Sequence, residues 1–399
     1  MRCATFVSLL VVAGTTAASD WEVDAEVELS ARYFLQETDD PRQDQFAADL
    51  YGQADAFRDW DEGRQRFAAS VNARGDTDDG ERSRFDVQEF YWRYRWPRAE
   101  VAVGIDRVFW GVTEALHLVD IVNQTDLAAS PDTEDKLGQP MLRLTLRPRW
   151  GTIDAYVLPR FRERRLPGTA GRLRGPVEIV ADTAQFESSD GRNHVDYALR
   201  YSHYIGPVEF AVSQFTGTAR TPAFELIGIA PVPQIAPVYF QTDQTGLELT
   251  YVHGNWLWKL EAISARDPVQ RYRAATGGFE YTWSSVFGNA DLGLIAEYQY
   301  DSRNPGEVLA FDNAGLFNDD LVVGTRLGLN DFAGSELLLL ATRDRDNGGR
   351  VVTVEASRRL GSQWRLALEG QHFSAGDEAD LLAILAREDY WRLSLTRYF

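Results

Sequence analysis

The chain of 399 residues carries 41 Lys and Arg against 60 Asp and Glu, a formal charge of −19. So acidic a balance argues against a nucleic-acid partner, which needs a net basic face, and 44% hydrophobic residues with eleven Trp exclude a disordered chain. The one cysteine, Cys3, lies near the N-terminus, so the rest of the chain has no thiol for disulfides, thiol catalysis, Cys-ligated zinc or haem attachment.

Residues 1–19 read as a signal peptide. Met1-Arg2-Cys3 is a short basic start, Phe6 to Ala13 is an apolar stretch of suitable length, and Thr16-Ala17-Ala18-Ser19 supplies small residues for cleavage near Ala18 or Ser19. Cys3 precedes the apolar stretch and is misplaced for a lipid anchor at the cleavage point. Beyond it no run of about 18 apolar residues occurs. Soluble periplasmic proteins, secreted proteins and outer-membrane barrels are the classes that remain. No linker or shift in composition divides residues 20–399, which are expected to form one domain.

Residues 21–34 alternate with period two: Trp21, Val23, Ala25, Val27, Leu29, Ala31 and Tyr33 on one face, Glu22, Asp24, Glu26, Glu28, Ser30 and Arg32 on the other. Soluble strands typically run about five or six residues, whereas a tilted strand crossing a bilayer needs roughly nine to eleven. The pattern recurs over 67–73, 90–96, 142–146, 153–157, 195–201, 208–212, 247–251, 256–262, 279–283, 292–298, 321–329, 352–356, 364–368 and 391–395. Residues 46–57 are weakly patterned, and 377–387 also suit a helix. Eight short turns, beginning with 60–64 and 97–100, interleave with nine longer polar connections, among them 36–45, 75–82, 111–138, 165–191 and 217–237. This arithmetic predicts an all-β fold, a transmembrane antiparallel up-and-down β-barrel of about 18 strands with both ends in the periplasm, 16 being the alternative. Trp96, Trp150, Trp256, Trp283 and Trp364 each sit beside a short turn, where an interfacial aromatic girdle belongs.

The last residues alternate through Trp391, Leu393 and Leu395 and end on Phe399. This resembles the assembly signal of Gram-negative outer-membrane β-barrels, with Arg397 standing where an apolar or aromatic residue is common. The resemblance implies a bacterial outer-membrane location, with membrane lipid and the barrel-assembly machinery as partners. Trp110-Gly111 through Asn123 and Asp126 to Lys136-Leu137-Gly138 resembles the inward-folded loop of porin-like families related to alginate exporters. No catalytic or binding residue is carried over from that likeness.

With apolar faces toward lipid, the alternate positions line a lumen. Strands four to seven would supply a basic wall of Arg93, Arg95, Arg143, Arg147, Arg160, Arg162 and Arg164, and loop 111–138 an acidic face with Glu114, Asp120, Asp126 and Asp132. Acidic loop facing basic wall would set a transverse field across a constriction; the plain alternative is that these charges pair and hold the loop. The five histidines, His117, His194, His203, His253 and His372, occupy no hydrolase or zinc-protease motif, so no enzyme is expected. Asp76-Thr77-Asp78-Asp79-Gly80-Glu81 and Asp344-Arg345-Asp346-Asn347-Gly348 fall short of a calcium loop and read as turns. No metal and no cofactor are implied. The expected function is passive diffusion of small hydrophilic solutes, with anions as the favoured class. A plugged, non-conducting barrel serving as a surface scaffold or adhesin, with 165–191 and 217–237 filling the lumen, is the alternative.

Overall fold

The computed structural model describes residues 20–131, 133–174, 177–229, 233–303, 318–376 and 381–399. The expected signal peptide, residues 1–19, and the loop residue Asp132 lie outside the described residues. Eighteen strands form one sheet. They are β1 Trp21–Phe34, β2 Phe46–Trp60, β3 Gln65–Asp76, β4 Arg84–Arg95, β5 Ala99–Asp106, β6 Gln139–Leu146, β7 Thr152–Leu158, β8 Asp196–Ile205 and β9 Val208–Thr218. The series continues with β10 Gln241–His253, β11 Trp256–Arg266, β12 Arg271–Phe287, β13 Ala290–Asp301, β14 Asp319–Gly328, β15 Glu336–Asp344, β16 Arg350–Leu360, β17 Trp364–Ser374 and β18 Tyr390–Tyr398. Each strand pairs antiparallel with its neighbours, and β18 closes on β1 in the register Glu26↔Tyr398 to Phe34↔Tyr390. The barrel is therefore closed at 18 strands, not 16. Short turns gather on one rim and long connections on the other, as the alternation predicted.

Burial is inverted relative to a soluble protein. Leu29, Leu144, Leu199, Leu294, Val323 and Leu368 are exposed on the outer face, while Ser70, Asn72, Glu248, Glu261, Thr276, Glu297 and Gln299 are buried inside. An apolar exterior on a sheet without free edges is the arrangement that lipid stabilises, because every backbone polar group is satisfied within the wall. At the short-turn rim the outward Trp256 stacks on Trp258 at 5.6 Å and meets Tyr281 edge to face at 4.6 Å, and Tyr281 meets Trp283 edge to face at 4.7 Å, which forms part of the expected girdle.

β5, β6 and β7 are the shortest strands of the wall. β7 stops at Leu158 because Pro159 has no N–H to continue the ladder. Beyond the long-loop rim, Ala223–Gly228 and Gln234–Tyr239 form a hairpin whose second strand pairs in parallel with Glu178–Ile179 and Gln185–Phe186. Within 377–387, the described part contains a single 3₁₀ turn, Leu381–Leu385, not a longer helix.

Candidate functional site: the lumen and its crossing loop

The connection from β5 to β6, residues 107–138, leaves the wall and crosses the lumen to β11–β14. Its stems are joined by Asn123, which donates to the carbonyls of Asp106 (3.0 Å) and Leu137 (2.8 Å) and accepts the Val108 N–H at 3.0 Å. Trp110, Val119 and Val122 are buried against inward-facing Met141, Tyr156, Leu158, Phe215 and Ile263. The barrel thus encloses a hydrophobic core of its own, built by the loop against β6–β12, and Trp110 meets Tyr156 edge to face at 5.7 Å.

Two buried wall carboxylates hold the loop tip. Glu261 on β11 accepts the Val112 N–H (2.7 Å), the Thr113 N–H (3.1 Å), the Thr113 hydroxyl (2.7 Å) and the Val119 N–H (3.2 Å). Glu297 on β13 accepts the N–H groups of Glu114 (2.7 Å) and Ala115 (3.2 Å). An irregular segment in a lumen has no ladder for its N–H groups, and an ionised carboxylate is the strongest acceptor available to them. Glycine makes the close approach feasible at two points. A Cβ on Gly111, whose φ is +144°, would fall 2.8 Å from the His117 Nδ1 and 3.1 Å from the Glu261 Oε1. One on Gly246 of β10 would meet the Ser213 hydroxyl at 2.5 Å and Val119 at 3.1 Å. The far bank is held by guanidiniums: Arg82 donates to the carbonyls of Ala128 and Ala129 at 2.7 Å each, and Arg220, paired with Asp196 at 2.9 Å, donates to the Val122 carbonyl.

Three titratable groups of the loop are shifted by their surroundings. Burial opposes the His117 cation, but the Glu261 carboxylate 3.7 Å away, with Asp120 and Glu134, outweighs it and raises the histidine above its ordinary value of 6.5. Burial pushes the Asp120 carboxyl up despite Lys136 at 3.1 Å, and the Asp126 carboxyl up despite Arg84 at 2.6 Å.

The expected facing of acidic loop and basic wall is only partly present. Glu114 pairs with Arg326 on β14 and Lys259 on β11, Asp120 with the loop's own Lys136, and Asp126 with Arg84 on β4. The wall arginines meet carboxylates of their own wall: Arg93 with Asp59 (3.9 Å), Arg95 with Glu100 (3.0 Å), Arg143 with Asp106 (3.1 Å) and Arg147 with Glu100 (3.6 Å). Arg160, Arg162 and Arg164 are not on the seventh strand, because Pro159 ends it; they belong to the loop after it. Arg160 is exposed, Arg162 binds Asp86 and the Gly138 carbonyl at 2.7 Å each, and Arg164 is buried against Gln124 and Thr221. The acidic turn at Asp76 uses its carboxylate locally, accepting the N–H groups of Asp78 and Asp79 at 2.9 Å and Arg82 at 2.7 Å.

Opposite the filled side, space remains. A cavity of about 400 Å³ lies between the loop face at Glu114 and Pro131 and the inward positions of β13–β17. A second, of about 230 Å³, continues along β14–β18, with Arg326, Leu338 and Glu355 common to both. Residues 165–174 reach across the long-loop mouth, where Arg172 binds Glu388 at 2.8 Å and Arg174 binds Asp40 at 2.5 Å.

At the closing strand, Trp391 and Leu393 are exposed outward, Leu395 shares their face, and the Phe399 N–H binds the Ala25 carbonyl at 2.9 Å. Arg397, the departure from the terminal pattern, also faces outward, 5.4 Å over the Trp364 ring and 4.7 Å from that of Phe399, so an interfacial ring on each side accommodates the charge.

These features define an outer-membrane β-barrel of porin-like architecture: closed, apolar outside, polar inside, with a loop folded into the lumen. Among solved structures the chain is similar to OpdQ of Pseudomonas aeruginosa (TM-score 0.54, 12% identity, 95% of this chain and 96% of that one). It is similar also to a BenF-like porin from Pseudomonas fluorescens Pf-5 (TM-score 0.54, 9% identity, 95% and 97% covered). A third is Wzi, an outer membrane protein involved in group 1 capsule assembly in Escherichia coli and a carbohydrate-binding β-barrel (TM-score 0.51, 9% identity, 94% and 84% covered). At these identities the likeness is one of fold. No protein-family model and no curated protein matches the chain.

Proposed function

We propose that the protein is a non-catalytic outer-membrane channel through which small hydrophilic solutes diffuse passively, with loop 111–138 as its constriction. The observation that carries this reading is the pair of adjoining cavities beside a loop tethered across the lumen. A rigid tether leaves a passage of set width, whereas a plug would fill both banks. The arginine bank that suggested an anion preference is charge-balanced by Asp59, Glu100 and Asp106, so it supplies a polarised wall more than an excess of positive charge. Single-channel recording of the purified barrel in a planar bilayer under a salt gradient tests the reading. Discrete steps with a defined reversal potential are expected; a folded but electrically silent barrel overturns it.

A second reading, a surface-binding barrel, draws on residues 165–174 and the hairpin at 223–239 crowding the mouth, and on the likeness to a carbohydrate-binding barrel. Electrical silence would favour it. Trp391, Leu393, Leu395 and Phe399 are proposed as the signal read by the barrel-assembly machinery, with outer-membrane lipid around the finished wall. Removing Phe399 is then expected to lower the fraction of heat-modifiable, assembled barrel in membranes.

A further inference from the structure

Across from the crossing loop the inward wall turns apolar. On β15 the run Leu337–Leu340 is leucine on both faces. By register Leu338 stands beside Arg326 of β14 and Glu355 of β16, and Leu340 beside Gly324 and Thr353, so both leucines point inward. Phe373, Leu382 and Leu385 form a packed cluster with Leu173 and Val351. Leu338 and Leu340 stand outside that cluster, and together with it they line the cavity of about 400 Å³. Leu173 is held at φ +65°, a left-handed conformation that strains a leucine. Its N–H binds the Glu388 carboxylate at 3.1 Å, which Arg172 also holds at 2.8 Å, so the mouth loop imposes the turn. A strained side chain at the edge of a cavity points to a use for that side chain, here an apolar surface.

The charges of the lining are engaged by the protein. Glu114 holds Arg326 and Lys259, Arg174 binds Asp40, and neither Glu134 nor Glu355 is without a partner. The cavity therefore offers no spare charge to a cation or to an anion. Gln299 differs. It lines the cavity from β13, is only 2% exposed, and among the described residues its Oε1 has no hydrogen-bond partner. A buried amide oxygen without a donor is unfavourable, and a ligand N–H or O–H reaching it relieves that cost. An apolar body beside it removes the leucines from water. The volume lies within the range of roughly 300–1,000 Å³ usual for small-molecule sites, and roughly 150 Å³ suffices for one benzene ring, so one or two rings fit.

We propose that the cavity between loop 111–138 and β13–β17 binds small uncharged solutes with an apolar ring body and one N–H or O–H group, which Gln299 accepts. This deepens the channel reading by naming a solute class, yet the binding itself does not depend on conduction.

The test uses the assembled barrel in detergent and five probes: indole, 1-methylindole, tryptammonium, indole-3-acetate and methyl glucoside. Binding is followed by saturation-transfer NMR and titration against protein-free micelles. Indole is expected to bind at least ten-fold more tightly than the two charged indoles and the sugar, several-fold more tightly than 1-methylindole, and to reduce single-channel current at the same concentrations. Leu338→Asn and Leu340→Asn should each weaken indole about ten-fold while Leu340→Met does not, heat-modifiable gel mobility checking that each variant is folded. Gln299→Met should remove the preference for indole over 1-methylindole and leave 1-methylindole bound as before. Either charged indole binding as tightly as indole overturns the uncharged assignment, and methyl glucoside doing so overturns the apolar floor. Equal binding of indole and 1-methylindole to the unaltered barrel overturns the role of Gln299, and indole binding unmoved by both asparagine variants overturns the location. Currents without binding of any probe overturn the site and leave the channel intact; indole binding to a silent barrel keeps the site and removes the channel.

Discussion

The two banks of the lumen are built on opposite terms. From β6 to β12 the inward face is met by loop 107–138, and the contact has the marks of a soluble core: Val119 and Val122 fully buried, an edge-to-face aromatic pair, and backbone N–H groups given to buried carboxylates. Beyond the strands that hold the loop tip, from β15 to β18, the inward face borders the two cavities, with Leu338 and Leu340 among its lining, and β1 continues the wall with inward carboxylates. The same wall geometry serves both. What differs is whether another part of the chain covers it, so the inner surface of a barrel cannot be assigned to solute or to packing until its loops are located.

The largest effect should come from erasing the difference. Replacing residues 112–119 by Gly and Ser of equal number removes the tip that reaches β11–β14 and should raise single-channel conductance several-fold; unchanged conductance would move the constriction elsewhere. Next comes the tether. Glu261→Ala leaves three loop N–H groups without their acceptor, while the Thr113 hydroxyl keeps the Leu116 carbonyl, a loss of about 3–5 kcal/mol locally by comparison with other buried charged partners. Noisy, enlarged currents and new protease cleavage within 107–138 are expected. Glu297→Ala, which releases only two N–H groups, should do the same more weakly.

A smaller effect sharpens the contrast from the basic side. Reversing Arg93 and Arg95 to Glu should move the reversal potential towards cations, but modestly, because Asp59 and Glu100 already offset them. The smallest effect is in pH. A histidine whose value rises on folding contributes its full stabilisation below its ordinary 6.5 and loses it as pH climbs through the raised value. Asp120 and Asp126, raised by burial from 3.8, act in the same direction from a lower starting point. Loop-opening events in current traces should therefore become more frequent as pH climbs above 6.5, and His117→Asn should weaken that dependence.

Much of the architecture is legible in the sequence. Strand number, closure, the side facing lipid and the girdle follow from period two and from turn lengths, because lipid contact is decided residue by residue along one dimension. The crossing loop was legible as a long insertion between short strands. Alternation runs on past the seventh strand through Arg160, Arg162 and Arg164, but Pro159 ends the strand by withholding a hydrogen bond.

The partners of the loop were not legible. Glu261 and Glu297 sit in strands whose pattern differs in no way from that of other inward carboxylates, and Gly111 and Gly246 are two of 32 glycines. Their roles come from juxtaposing residues more than a hundred positions apart, where a carboxylate becomes an acceptor only because particular N–H groups arrive beside it. The sequence by itself determined a lipid-facing barrel of this size and, short of the stretch after Pro159, which face of its alternating strands turns inward. Only the tertiary structure decided which inward charges are spent on one another and which bank remains for a solute, since pairing and burial are properties of distance in space and not of spacing along the chain.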